Sequence, residues 1–315
     1  MRLVTFRADD GAPHVGVIRD EEIIDLTLWL PQQEPVYLSD FTMVELIAAE
    51  PEVWQQVVAA LEASEAAVKG ANALVPLEPG RLMAPIPRPL KNVLCMGRNY
   101  AEHAKESARA FGGVLGQPPS APTKPPHPAI FTKAPTSVIG PFDDIPYDAA
   151  LTESLDWEVE LAVVIGRKGK NIPESQAMEY VFGYTVLNDV SARDIQSRHG
   201  NQFFKGKSLD GTCPIGPWIV TVDEVPDPNN LSLSLHVNGV EKQQDTTASM
   251  LWNVQQIIQI MSHGMTLEPG DIIATGTPAG VGFARQPAEF LQPGDLVECE
   301  VETIGKISNR VRKID

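Results

Sequence analysis

Short apolar runs broken by turn residues set the pattern of this chain. Leu3-Val-Thr-Phe and His14-Val-Gly-Val-Ile are strand-length runs separated by the turn signal Asp9-Asp-Gly-Ala-Pro, and Ile23-Ile-Asp-Leu is a third run. Ser39 is placed to cap a helix beginning near Asp40. Pro51 is placed to open a second helix that reaches about Lys69 and stops at Gly70. Pro76, Pro79, Pro85, Pro87 and Pro89 then mark a linker. The pattern predicts a small N-terminal α/β domain over 1–85 and a main domain over 86–315.

The main domain is richer in strands than in helices. Strand-like runs occur at Val93–Met96, Ala129–Thr132, Glu160–Ile165, Trp218–Val222, Leu231–Val237, Asp271–Ala274 and Leu296–Thr303. Helical patterns run from Tyr100 to about Phe111, onward from Pro173, and from about Met250 to His263. In the last of these Leu251, Val254, Ile258 and Met261 share one face and Gly264 is the stop. Strands and helices do not alternate, which argues against a doubly wound or barrel-type parallel fold and for an α+β domain built on β-sheets.

Composition narrows the function. The 315 residues are 43% hydrophobic and 21% charged, ordinary for a globular enzyme, and 25 Lys and Arg face 41 Asp and Glu for a net charge of −16. That excess argues against nucleic-acid and anionic-membrane partners, both of which need a basic footprint. The N-terminus carries no apolar signal core, and no run approaches the roughly 18 apolar residues of a membrane span. Cys95, Cys213 and Cys299 are odd in number and lack CxxC spacing, which fits a reducing, cytoplasmic compartment rather than a disulfide framework.

The sharpest chemical signal is Asp156-Trp-Glu-Val-Glu-Leu-Ala-Val-Val-Ile. In a strand, Glu158 and Glu160 point to one face, and the apolar residues after them predict burial. Two adjacent buried carboxylates repel unless a cation or proton lies between them; the competing reading is a solvent-facing pair on an edge strand. Asp189 follows the run Val186-Leu187 and would complete an all-oxygen ligand set. Such sets choose hard cations, Mg²⁺ first, with Mn²⁺ or Ca²⁺ as alternatives. A 2-oxo acid could chelate such an ion through its carboxylate and keto oxygens, and the ion would stabilise the enolate. Asp194 reads as a cap or salt-bridge residue. Phe204-Lys-Gly-Lys-Ser lacks the upstream Gly of a nucleotide-binding loop, so Lys207 is read as a cation facing the carboxylates. His103 and Glu106 are three apart and share a face of their helix, as a general base and its orienting acid would. Read singly, such a pair is more often a surface ion pair. Pro269 to Gly282 is a strand running into a Gly-rich loop, read either as a close backbone approach to an anion or as a tight structural turn.

Taken in order, GRNYAEHAKE (97–106), PAIFTK (128–133), DWEVELAVVIG (156–166), NDVSARDIQ (188–196), FKGKSLDGTCPIGPWIVT (204–221) and PGDIIATGTPAGVG (269–282) resemble the fumarylacetoacetate hydrolase family over about residues 90 to 312. The resemblance implies a mixed β-sandwich or roll catalytic domain, usually homodimeric, acting on small 2-oxo and diketo acids with Mg²⁺ or Mn²⁺. It implies metal ligands at Glu158, Glu160 and Asp189. It implies a His103–Glu106 dyad that activates water or moves a proton, with Arg193, Gln196 and Lys207 holding the substrate carboxylate and the enolate. It implies substrate contacts at Arg98, Arg193, Gln196 and Thr277. Hydrolytic C–C cleavage of an acylpyruvate-type substrate is the first expectation. An oxaloacetate-type decarboxylase, or an isomerase or decarboxylase of a 2-hydroxy-dienoate diacid, comes second. A non-catalytic, metal-stabilised dimeric binding protein is the alternative of another class.

Residues 112–128 hold six prolines and three glycines and follow the helix carrying His103, which predicts a surface loop able to close as a lid. The competing expectation is an insertion without function. If the segment closes, the non-reactive analogue oxalate with Mg²⁺ slows backbone hydrogen exchange across 112–128. Equal exchange with and without the ligand, and unchanged kinetics after deletion of 113–124, mark it as a passive insertion.

Overall fold

The computed structural model describes residues 1–33, 41–110, 124–199 and 202–314. Ser39, Asp40 and residues 112–123 of the expected lid lie outside these. Among the described residues the strands form one eleven-stranded sheet, one five-stranded sheet and two short ribbons. The fold is the mixed, sheet-based α+β arrangement expected from the pattern.

Val159–Ile165 is the strand on which the fold turns. Every residue of it is buried, because both of its faces are covered. It pairs antiparallel with Val181–Asn188 on one side and Ile272–Ala274 on the other. Leu161, Val163 and Ile165 pack with Tyr184 and Val186 against Leu233, Leu235, Val297 and Ile307 of the five-stranded sheet, so the two sheets form a sandwich. Ala162, Val164 and Leu187 face the other way, into a core shared with Leu3, Val17, Leu46, Val53 and Val57. The period of two along this strand therefore places Glu158 and Glu160 on the second face, at the strand's leading end.

The N-terminal strands extend the same large sheet. Arg2–Arg7 pairs with Cys213–Thr221 through Leu3 and Ile219, and Pro13–Arg19, Glu22–Asp25 and Leu74–Pro76 follow outward. The helix expected over 51–69 is two helices. Pro51–Glu62 ends where Ala63 turns extended, and the Ser64 side chain accepts from the Ala67 amide to start Glu65–Gly70. The helix expected near Asp40 runs Met43–Ile47 and is capped by Thr42. Pro173 precedes a 3-10 segment, Glu174–Tyr180, and the helix expected from Met250 starts at Val254 behind the cap Asn253. The polar strand Val240–Thr246 carries no hydrophobic pattern. Its signal is Asn238-Gly239, whose positive φ angles, 52° and 76°, make the tight hairpin joining it to Ser232–Val237.

Leu161 is fully buried between the sheets. Leu161→Ala is expected to lower unfolding free energy by about 2–5 kcal/mol, read from the urea midpoint at unchanged m-value.

Candidate active site

The leading end of Val159–Ile165 meets the end of Val181–Asn188, and the backbone joins them there: the Asp189 amide donates to the Glu158 carbonyl at 2.9 Å. Glu158, Glu160 and Asp189 are all buried, and each offers a carboxylate oxygen within 4.8 Å of the others. The structure thus places the two glutamates and the aspartate on one inward face, and the edge-strand reading of the glutamate pair does not apply.

Three cations answer them. Lys207, on the short helix Phe204–Lys207, donates to Glu158 Oε2 at 2.8 Å and to Asp189 Oδ2 at 2.7 Å. Arg193, opening the helix Arg193–Arg198, donates to Glu158 Oε1 at 2.6 Å, to Asp156 Oδ2 at 2.8 Å and to Gln196 Oε1 at 3.2 Å. Lys133, wholly buried, lies 2.8 Å from Asp189 Oδ1 and donates to the Val190 carbonyl at 3.1 Å. Burial favours the neutral form of Glu158, but Lys207 and Arg193 outweigh it and hold the carboxyl well below the usual carboxylate range. Glu160 is the opposite case. Its Oε2 accepts from the Gly276 amide at 2.6 Å, yet burial, then the repulsion of Asp189 and Glu158, push it well above the usual carboxylate range. Four buried carboxylates, counting Asp156, face three cations. The oxygen-only donor set and the uncompensated Glu160 fit a divalent cation held by Glu158, Glu160 and Asp189.

His103 and Glu106 lie on the helix Ala101–Ala110. His103 Nδ1 is 2.9 Å from Glu106 Oε1, and the Gly280 amide donates to both oxygens of Glu106 at 3.1 and 3.0 Å. The carboxylate assigns the imidazole proton to Nδ1 and leaves Nε2 as the acceptor. The Gly-rich loop after Ile272–Ala274 therefore positions the dyad from outside its helix and, through Gly276, also holds Glu160. The loop reaches a third acid, since the Gly282 and Phe283 amides donate to Asp156 at 2.7 and 3.1 Å.

A cleft with about 400 Å³ of empty space, its open mouth included, is walled by Arg98, His103, Glu158, Arg193, Gln196 and Lys207. Thr277 lines it too, with its hydroxyl donating to the Val159 carbonyl at 2.9 Å and accepting from Gln243 at 2.8 Å. The residues expected to bind metal or substrate or to move a proton converge on this one region, and Asp194, expected as a cap or salt-bridge residue, lies outside it, paired with Arg198 at 2.9 Å. Lys133 and Asp156 were not singled out. Asp156 shares the period of two with Glu158 and Glu160, and Lys133 ends the PAIFTK run. Cys95, Cys213 and Cys299 are buried free thiols, and burial pushes Cys213 up to about 12, which makes it unreactive. Among the described residues no helix is long and apolar enough to cross a membrane.

A family model described as fumarylacetoacetate (FAA) hydrolase C-terminal matches residues 92–312. The chain is 44% identical to oxaloacetate tautomerase YisK of Bacillus subtilis over 231 residues, 73% of each chain. It is 40% identical to the mitochondrial oxaloacetate tautomerase Fahd2a of Rattus norvegicus over 314 residues, 99% of this chain and 91% of that one. Its fold superposes on fumarylacetoacetate hydrolase from Exiguobacterium antarcticum with a TM-score of 0.79 at 37% identity, both chains fully covered. It also superposes on maleylpyruvate hydrolase from Sphingobium sp. SYK-6, solved with a manganese(II) ion and pyruvate, with a TM-score of 0.73 at 29% identity over both full chains.

Because burial and its acidic neighbours raise Glu160 above the usual carboxylate range, a cation entering this site competes with a proton there, and Mn²⁺ affinity is expected to rise with pH. Calorimetry in buffers of different ionisation enthalpy should register proton release on binding, and Glu160→Gln should remove that release. Glu158→Gln should weaken Mn²⁺ binding without loss of the folded near-UV spectrum; Mn²⁺ affinity unchanged in both variants would place the ion elsewhere.

Proposed function

The chain belongs to the fumarylacetoacetate hydrolase family, and we propose that within it this enzyme interconverts the keto and enol forms of oxaloacetate. The observation that carries the reading is the His103–Glu106 dyad on the wall of the cleft whose floor is Glu158. An imidazole in the same cleft as the acids is what a proton transfer to or from a 2-oxo acid bound there would use. The two oxaloacetate tautomerases, one aligned along nearly this whole chain, support the same choice.

Tautomerisation moves one proton. His103 Nε2 takes it from C3 of the keto form, the electron pair of the C–H bond becomes the C2–C3 double bond, and the oxygen at C2 gains the negative charge. The same imidazole then delivers the proton to that oxygen. Glu106, fixed by the Gly280 amide, keeps the ring oriented and stabilises its protonated form. Gln196, Lys207 and the remaining N–H groups of Arg193 orient the C1 carboxylate and the C2 oxygen. Glu158, Glu160 and Asp189 would hold Mg²⁺ or Mn²⁺, which supplies Lewis acidity to the 2-oxo carboxylate. The Phe131, Phe203 and Phe283 side chains of the lining limit water at the reacting carbons.

Hydrolysis of an acylpyruvate-type substrate is the second reading. The same dyad could deprotonate water, and the similarity to maleylpyruvate hydrolase favours it. It needs a water seated on the distal carbonyl in addition to everything tautomerisation needs.

The purified protein with Mg²⁺ is expected to accelerate the decay of enol-oxaloacetate absorbance and to release little pyruvate from acetylpyruvate. His103→Ala should lower kcat by about 10²–10⁴ with KM little changed. Rapid pyruvate release with no effect on the enol decay would replace tautomerisation by hydrolysis, and a wild-type rate in His103→Ala would remove the dyad from the chemistry.

A further inference from the structure

Arg98 stands apart from the other cations of the cleft. It follows the strand Val93–Gly97 and lines the cleft half-buried. Among the described residues it has no hydrogen-bond or ion-pair partner, and burial alone acts on its guanidinium, lowering its proton affinity. Lys133, Arg193 and Lys207 by contrast are each paired with buried carboxylates.

The backbone holds Arg98 in an unusual place. Its φ is +56°, a left-handed conformation that a long side chain seldom adopts. Asn99 next to it locks the turn. Its side chain donates to the Trp252 carbonyl at 3.0 Å and the Thr275 carbonyl at 2.7 Å, and accepts from the Trp252 amide at 2.8 Å; its carbonyl accepts from the Leu251 amide at 2.7 Å. Four hydrogen bonds from one buried residue thus over-determine the turn that presents Arg98 to the cleft.

Charge indicates what Arg98 is for. With Glu160 ionised, as a bound cation requires, Asp156, Glu158, Glu160 and Asp189 exceed Lys133, Arg193 and Lys207 by one negative charge. A divalent cation at the triad reverses that to one positive charge, which the C1 carboxylate of a 2-oxo acid cancels. Glu106 is engaged by His103 and by the Gly280 amide. A second carboxylate on the substrate finds its partner in none of these paired cations, and among the described residues Arg98 is the cation on the cleft wall that no carboxylate engages. We propose that Arg98 binds the distal carboxylate and makes this a site for 2-oxo dicarboxylates rather than 2-oxo monoacids. The proposal rests on the reading of the site as one that takes oxaloacetate, and it names the residue that selects the diacid.

Oxaloacetate and its 4-methyl ester share the reacting carbons and differ in the distal charge. The Mg²⁺-loaded wild-type enzyme is expected to favour the diacid in kcat/KM. Arg98→Met should reduce that preference about ten- to a hundredfold, through KM rather than kcat, which is the range for a hydrogen-bonded charge pair. Arg98→Lys should restore part of it. Equal losses on both compounds, or a wild-type enzyme that does not distinguish them, would overturn the proposal. Should neither compound be turned over, the tautomerase reading falls by itself. The same ratio is then read from calorimetric binding of the two compounds to Mn²⁺-loaded wild type and Arg98→Met, and a ratio that Arg98→Met leaves intact again overturns the proposal.

Discussion

Four carboxylates meet in the interior of this fold, and their mutual repulsion is the constraint that the neighbouring elements answer. Glu160 lies on a strand buried on both faces and Glu158, just before it, is almost wholly enclosed at the cleft, so solvent screens the pair poorly. Each acid must find a donor, a cation or a proton. Lys207, Arg193 and Lys133 come from three separate segments, and the Gly276 and Gly282 amides from a fourth. The Gly-rich loop can bring its backbone that close because Gly276 and Gly280 adopt φ of +99° and +109°, and a Cβ on Gly280 would lie 2.1 Å from the Lys242 carbonyl. The loop is thus a row of amide donors aimed at acids, and the turn reading and the close-approach reading of its sequence are both met.

Such an arrangement does not decompose into independent contacts. Removing one partner of a buried pair leaves the other charge without compensation, which costs more than the contact contributed. Arg193 illustrates this: it bridges Asp156 and Glu158, and its guanidinium lies 4.4 Å from the centroid of the Phe283 ring. Its loss would take a cation from two acids together, leaving Glu158 to Lys207 and Asp156 to the loop amides, and would withdraw a contact from the loop that holds Glu106.

Much of the site is legible in the sequence because strand periodicity is short-ranged. Asp156, Glu158 and Glu160 fall on one face by counting in twos, and Asp189 follows from a strand ending just before it. The order of the motifs carries the family. What counting could not give is the register that sets Leu187 opposite Glu160, and with it Asp189 beside Glu158. Lys133 is hidden for a different reason: a lysine at the end of an apolar strand looks like a strand edge, and only the packed fold shows it enclosed. The split at Ser64 escapes a helix pattern because alanines on both sides continue the helical composition, while a single hydroxyl capping the Ala67 amide resets the chain. The N-terminal strands join the large sheet through Leu3 and Ile219, a pairing of residues more than 200 positions apart that no local pattern announces.

The acids lie on sheet strands and their immediate continuations, Lys133 ends a strand, and Arg193 and Lys207 sit on two short helices, whereas Arg98, His103 and Glu106 fall within one stretch of nine residues at a strand-to-helix corner. Taking the acid cluster with its cations as the floor and the 98–106 corner as the wall, the two are separable inheritances. A lineage could exchange the wall, altering which end of a substrate is gripped and whether a proton or a water is moved, while the floor that folds the protein stays the same. Diversification of chemistry on this scaffold would then be concentrated in a few codons, at little risk to the folded state.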